Sequence, residues 1–411
     1  MVHMSIETYS PRHGPFDLYQ VRHLLLGVNA SNGVGDEVVR IAGEKSKVLL
    51  VTDRGVEKAG LAGRLRTILQ RRGLRTETFN DVSGEPTFDS MRKATATVRE
   101  EEFNVVIGLG GGSVMDTAKT AAIMKTNSGE VTSYFVGLED RIKEKPLPKI
   151  LLPTTAGTGS EVTCYAVVVN ENSVKTFITS PYALADTAIV DPMLSLTCPQ
   201  KITASAGMDA LAQAIESILT PCYTALSDAY SLHAIKLISR SLRSAYQEGN
   251  DLQARYDLAT AATMAGISIN IIPNNIGHCI SEAVGPMYKI PHGVANAIIT
   301  PYQMRFNLPA STDRMAMIAK GLVENVHGLS NREAAKKAIK AIRTLAEDLE
   351  LPTSLRQANV PKADLPKIVD HILNERQIMY DLPKWNPRKL TRANVTTLIE
   401  DMWEGRLDDL D

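Results

Sequence analysis

The sequence predicts an α/β, Rossmann-like nucleotide-binding domain over residues 1–196, followed by an all-α domain over residues 197–411. Three observations predict it. Short, continuously apolar runs alternate with helical patterns in the first half, as in βαβ units around a parallel sheet. A glycine-rich turn joins one of these runs to a helix. Helical periodicity dominates from about residue 196 onward. The length of 411 residues suits two domains better than one.

Each element follows from its pattern. "KVLLVTD" (47–53) is an apolar run ending in Asp53, and "KAGLAGRLRTILQRRG" after it has a helical pattern. "TETFND" and the helical "PTFDSMRKATATVREE" form the next pair. "NVVIGLGGGS" is a third apolar run, leading into the helix "VMDTAKTAAIMK". "KILLPTTAGTGSE" closes this set. Runs that are apolar throughout, rather than alternating, fit a sheet covered on both faces. "CYAVVVNENSVKTFITS" reads as a hairpin and "TAIVDP" as the last strand. Beyond "CPQKITASAG", helical spacing recurs in "SDAYSLHAIKLISRSLRSAYQEG", "QARYDLATAATMAGISIN" and "REAAKKAIKAIRTLAEDLE".

Composition excludes several classes. A net charge of −1 gives no basic surface for nucleic acid or acidic membranes. Hydrophobic and charged contents of 44% and 22% are those of a soluble globular protein. The four cysteines, Cys164, Cys198, Cys222 and Cys279, show no CxxC spacing, so a reducing, cytoplasmic setting is expected. The first residues lack the pattern of a signal peptide, and no apolar run is long enough to span a membrane.

Four stretches carry chemistry. In "GLGGGSVMDTAK" (108–119), Gly110, Gly111 and Gly112 let a ligand approach the backbone, and the following helix N-terminus suits a pyrophosphate. Ser113 and Asp116 have the spacing of an N-cap pair. Asp53, at the end of its strand, can accept the adenosine ribose hydroxyls and repel a 2′-phosphate, which favours NAD with NADP as the alternative. "PTTAGTGSEVT" (153–163) is a loop of small and hydroxyl residues that can follow a cofactor closely. In "GMDALAQAIES" (207–217), Asp209 and Gln213 share a helix face; in "NNIGHCISEAVGPMYKIPHGVANAI" (274–298), His278 and Glu282 do the same, and His292 follows Pro291 in an expected loop. Asp209, His278 and His292 together offer oxygen and nitrogen ligands for a divalent ion.

These motifs together resemble the iron-containing, or group III metal-dependent, alcohol dehydrogenases. The resemblance runs nearly the whole length, through "VTDRG", "GGGSVMDTAK", "PTTAGTGSEVT", "AIVDP", "GMDALAQAIES" and "PHGVANAI". It implies the dehydroquinate synthase-like superfamily architecture, with cofactor and metal meeting in the cleft between two domains. It implies that Asp53 contacts the ribose, that Gly112 and Ser113 hold the pyrophosphate, and that Thr154, Thr155 and Lys175 line the dinucleotide, with Gly111 and Asp116 as further cofactor-binding residues. It implies Asp209, His278 and His292 as ligands of Fe(II) or Zn(II). The activity implied is NAD(P)-dependent hydride transfer between a small alcohol and its aldehyde or ketone, by a homodimer or larger homo-oligomer.

Two positions depart from the family pattern. Gln213 stands where a fourth ligand, a histidine, is usual, and Glu282 stands where a second histidine is usual near the substrate. Glu85 replaces a common asparagine before proline. Three explanations remain open: a three-ligand site like that of the related glycerol dehydrogenases, a part for Glu282 as water-linked ligand or charge, or a metal-free carbonyl reductase like the maleylacetate reductases. Gln213 and Glu282 are accordingly the candidate catalytic or substrate-contacting residues. A lyase of the dehydroquinate synthase type and a non-catalytic nucleotide-binding protein are the readings from other classes.

Overall fold

A computed structural model describes residues 16–82, 84–137, 139–322, 325–379 and 381–407. The first half is built on strands β1 (His23–Leu26), β2 (Lys47–Asp53), β3 (Arg75–Val82), β4 (Val105–Gly110), β5 (Lys149–Pro153) and β8 (Thr187–Val190), with a hairpin of β6 (Tyr165–Val169) and β7 (Lys175–Thr179) beside them. The six strands form one parallel sheet in the order β1-β8-β5-β4-β2-β3. Both faces are covered, as the continuous apolar runs require. Val48 and Leu50 of β2 pack into one core with Ile107 and Leu109 of β4. Leu49 and Val51 pack into the other with Val106 and Leu151.

Helices α1 (Val34–Ala42), α2 (Arg54–Lys58), α3 (Leu61–Arg71), α4 (Phe88–Glu100) and α5 (Gly112–Thr126) connect the strands. Helix α4 starts where Thr87 and Ser90 cap each other's backbone. Helix α5 is buried from Val114 through Met124 because it lies between the sheet, α4 and β6; its polar residues Asp116 and Lys119 are buried with it. The short edge strand β1 and helix α1 carry patterns too brief to be read from the sequence. The N-cap pair expected at Ser113 and Asp116 does not form. Helix α5 begins at Gly112, Gly111 is its N-cap, and Asp116 instead accepts from Ser160 Oγ (2.6 Å) and the Val167 amide (3.1 Å).

The second half contains α6 (Gln200–Leu219), α7 (Ala225–Gln247), α8 (Leu252–Ile271), α9 (Ile276–Tyr288), α10 (His292–Asn307), α11 (Thr312–Gly321), α12 (Asn331–Asp348) and α13 (Leu365–His371). Helix α13 runs on into a π-helical turn, Ile372–Arg376, followed by α14 (Gln377–Met379), α15 (Leu382–Trp385) and α16 (Arg392–Glu404). One apolar core holds these helices together. The sequence pattern places His292 in a loop, whereas in the structure it is the first residue of α10, with Pro291 as N-cap. Among the described residues no helix is long and apolar enough to cross a membrane.

Candidate active site

Strands β2, β4 and β5 end at Asp53, Gly110 and Pro153, side by side in the sheet. Chain order reverses between β2 and β4, and a crevice opens beyond their carboxyl ends, where dinucleotides bind in sheets of this kind. Asp53, Gly111, Ser113, Thr154 and Thr155 line it. Asp53 Oδ1 also caps α2 by accepting from the amides of Gly55 (2.7 Å) and Val56 (2.9 Å). At Gly112 a Cβ would lie 2.7 Å from Thr158 Cγ2, so the glycine lets the 153–163 loop close over the helix start.

Ser113 belongs to a second cavity as well, which continues toward the helical half and is lined by Gly112, Asp116, Lys175, Asp209, Gln213, His278, Glu282 and His292. Expected cofactor and metal residues thus share one cleft. Lys119, fully buried, holds its wall: its ammonium donates to Ser160 Oγ (2.9 Å) and to the carbonyls of Thr163 (3.1 Å) and Tyr165 (2.5 Å). Asp116 lies 3.6 Å from that ammonium. This pair ties the 158–165 loop to α5.

At the far end of the cavity Asp209, His278 and His292 present ligand atoms within 4.8 Å of one another. Asp209 Oδ1 is 3.5 Å from Nε2 of each imidazole. Glu216, one face-turn beyond Gln213 on α6 and fully buried, accepts from His278 Nδ1 (3.0 Å), from the amides of His278 (2.9 Å) and Asn275 (2.5 Å), and from Gln303 Nε2 (3.3 Å). It fixes the His278 ring with Nδ1 protonated and Nε2 turned to the cluster. Close approach is needed for this: a Cβ at Gly277 would lie 2.1 Å from Glu216 Oε1.

The charges follow from these contacts. Burial opposes a charged imidazole at His278, but Glu216 and Asp209 outweigh it and raise its pKa to about 10. Burial, then the ammonium of Lys175, lowers His292 to about 4. Burial would raise the Asp209 carboxyl, but the two histidines and Asn296 hold it down at about 2. A carboxylate and two imidazoles converging in one buried pocket suit a divalent ion.

Comparison with known proteins gives the family. Residues 22–192 match the family described as iron-containing alcohol dehydrogenase, and residues 203–403 match the C-terminal part of the Fe-containing alcohol dehydrogenase family. A 1,3-propanediol dehydrogenase of Klebsiella pneumoniae is 36% identical over 90% of this chain and 95% of that protein. The chain belongs to the iron-containing alcohol dehydrogenase family. The crystal structure of a 1,3-propanediol oxidoreductase superposes with a TM-score of 0.89, at 33% identity, over 95% of this chain and 100% of that one. A sulfoacetaldehyde reductase from Bifidobacterium kashiwanohense, solved in complex with NAD+, gives 0.84 at 28% identity, over 96% and 100%. The chain is an oxidoreductase that interconverts an alcohol and its aldehyde, in a family that uses NAD(H) and a divalent metal.

Against the usual pattern of these dehydrogenases, the two substituted positions take distinct places. Gln213 does not enter the ligand cluster. Its Nε2 reaches Asp209 Oδ2 and the Thr158 carbonyl, each at 3.4 Å, and its buried Oε1 has no hydrogen-bond partner among the described residues. Glu282 lines the cavity and pairs with Arg376, a guanidinium buried completely on the π-helical turn. Arg376 also donates to the Lys175 carbonyl (2.8 Å), and the Lys175 ammonium pairs with Glu85 (3.1 Å). The sequence reading did not single out Glu216, Lys119, Asn296 or Arg376. Glu216 stood in plain view, a carboxylate on the Asp209 face of an apolar helix; Arg376 is far from Glu282 in sequence and gave no local signal.

Proposed function

We propose that the cleft carries NAD(H) in the β2/β4 crevice and a divalent ion, Fe(II) or Zn(II), on Asp209, His278 and His292, and that it exchanges hydride with a small aldehyde or alcohol. The convergence of one carboxylate and two imidazoles beside the cofactor cavity is the observation that carries this reading. Such an ion, when bound, acts as a Lewis acid on the substrate oxygen. The nicotinamide supplies the hydride. The chain's own residues do the rest. Glu216 keeps His278 oriented and basic. Gly111, Gly112, Ser113, Thr154 and Thr155 shape the diphosphate path, with Asp116 and Lys119 bracing its wall. Asp53 disfavours a 2′-phosphate, so NAD is the cofactor.

Glu282 and Gln213 form the substrate wall. Glu282, paired with Arg376, offers one acceptor, and Gln213 Oε1 offers a second. Two acceptors facing the cavity favour a substrate with a further hydroxyl, of the diol or hydroxyaldehyde type, over an anion. The protein works in the cytoplasm as a homodimer or larger assembly; Leu24 on the outer strand β1 and Val28 just beyond it are exposed apolar surface for a second copy to cover.

The test is NADH oxidation with propanal and 3-hydroxypropanal, alongside metal analysis of the purified chain. Turnover and metal content should both fall in Asp209→Ala and His278→Ala. Full turnover in both variants would refute the metal assignment. Turnover of metal-stripped wild type, unchanged by added ions, would favour hydrogen-bond activation of the carbonyl by Gln213 and its neighbours.

A further inference from the structure

Asn296 lies one turn beyond His292 on α10 and is 1% exposed. Its Nδ2 sits 2.7 Å from Asp209 Oδ1 and 3.3 Å from Nε2 of both His278 and His292. Those imidazole nitrogens are each 3.5 Å from Asp209 Oδ1. These side-chain atoms converge on one small space, the two imidazole ligand atoms lying within 4.8 Å of each other. Metal bonds of about 2.1 Å in a tetrahedral site give ligand separations of about 3.4 Å. The contacts of the amide and the carboxylate, 2.7–3.5 Å, bracket that value, and the short one is the amide-to-carboxylate hydrogen bond.

The amide has two nearly isosteric ends that exchange by a half-turn. With nitrogen toward the cluster, the amide donates to Asp209 Oδ1, while Asn296 Oδ1 is buried without a hydrogen-bond partner among the described residues. With a cation at the centre the preference reverses. Oxygen toward the cluster then gains a strong electrostatic partner, and the Asp209 hydrogen bond is replaced by shared attraction to the ion. Gln213 offers no such position, since its amide faces the other oxygen of Asp209.

We propose that Asn296 Oδ1 is the fourth protein ligand of the metal site. This rests on the reading of Asp209, His278 and His292 as ligands. The site then holds two nitrogens and two oxygens. Oxygen donors favour Mn(II) and Fe(II) relative to Zn(II) more than a third imidazole would. A neutral amide binds weakly, so its effect is on selectivity more than on total affinity.

The experiment is equilibrium competition of chelator-stripped full-length protein with a chromophoric chelator, using Mn(II) and Zn(II) in turn. Asn296→Ala should weaken Mn(II) about tenfold, as loss of a close ligand-shell partner does, and Zn(II) several-fold less. Asn296→Asp, nearly isosteric and checked for folding by circular dichroism because it sets a second carboxylate beside Asp209, should restore or exceed the wild-type preference for Mn(II) once metal is bound. Equal weakening of both metals in Asn296→Ala, with no recovery in Asn296→Asp, would mean that Asn296 only positions Asp209 and would overturn the proposal. Wild-type affinities in Asn296→Ala would overturn it too. Asp209→Ala is the separate control: if it still binds metal as wild type does, the site itself is misassigned and the ligand proposal falls with it.

Discussion

Glu216→Gln is the perturbation that bears hardest on the site. The Glu216 carboxylate accepts from four donors: the Asn275 and His278 amides, His278 Nδ1 and Gln303 Nε2. A glutamine keeps one acceptor oxygen and turns an N–H2 group toward the donors that the second oxygen served. Hydrogen bonds to a charged group are worth roughly 1.5–3 kcal/mol, and a buried donor left facing another donor costs about 1–3 kcal/mol more. The sum for one lost position is roughly 2.5–6 kcal/mol in the metal-free protein. Spread over a helical half of this size, that lowers Tm by roughly 5–24 °C. Metal affinity suffers separately, because His278 loses the carboxylate that orients its ring and raises its basicity; removal of such a partner typically costs about 10–100-fold. Differential scanning calorimetry of the stripped protein reads the first effect and chelator competition reads the second. A folded Glu216→Gln protein whose metal affinity stays within about twofold of wild type would refute the reasoning, since it would show that His278 is held by packing alone.

The other predictions address separate links. Gly277→Ala should depress metal affinity at least as far as Glu216→Gln, because its Cβ would meet Glu216 Oε1 at 2.1 Å; unchanged binding in competition titrations would show that α9 can shift freely. Asp53→Ser keeps a side-chain cap for α2 but removes the charge, so the ratio of kcat/KM for NADPH to that for NADH should rise about tenfold, and a constant ratio would remove Asp53 from cofactor choice. Glu282→Leu breaks the buried pair with Arg376 and should cost roughly 3–5 kcal/mol in chemical denaturation, whereas Glu282→Leu with Arg376→Leu should recover most of it; equal losses in both would contradict the pairing. Burial pushes the Glu37 carboxyl up, but Arg40, His23 and Thr187 outweigh it and hold it below the usual range. Its stabilisation is therefore present above the unfolded carboxyl pKa and is lost as pH falls through the lower folded value. Glu37→Gln should flatten the acid limb of a Tm-against-pH curve, and an unchanged limb would place acid sensitivity elsewhere.

The parts of the molecule legible in the sequence are those whose cause is local. An apolar run, three glycines and a helix are contiguous, so the β4–α5 turn could be read directly, and the pairing of cofactor motifs with Asp209, His278 and His292 followed from their resemblance. What could not be read depends on long-range contact. Ser113 and Asp116 have capping spacing, yet Asp116 is drawn to Ser160 and Val167 because Lys119 is buried beside it. Strand β1 has four residues and gains its place from pairing with β8, which lies far along the chain. Asn296 had a signal, its helical spacing from His292, and Glu216 had one in its spacing from Asp209. Neither had a meaning until α6, α9 and α10 were brought together.

The two departures from the family pattern act on opposite sides of one carboxylate. Asp209 Oδ1 faces both imidazoles and Asn296, while Oδ2 faces Gln213. Gln213 in turn reaches the Thr158 carbonyl, and the Thr158 methyl rests where a Cβ on Gly112 would be. Asp209 is thereby linked through one amide to the glycine turn expected to hold the diphosphate. An imidazole at 213 would draw this position into the ligand cluster and break that link; the amide keeps it. Glu282 shows the same logic on the other wall, where Arg376 joins it to the Lys175 carbonyl of the sheet domain's hairpin. Each substitution replaces a basic ring with a group that ties the helical half of the cleft to the nucleotide half. On the proposed reading Asp209, His278 and His292 keep the family's metal chemistry, and the altered residues join the two halves of the cleft around the substrate.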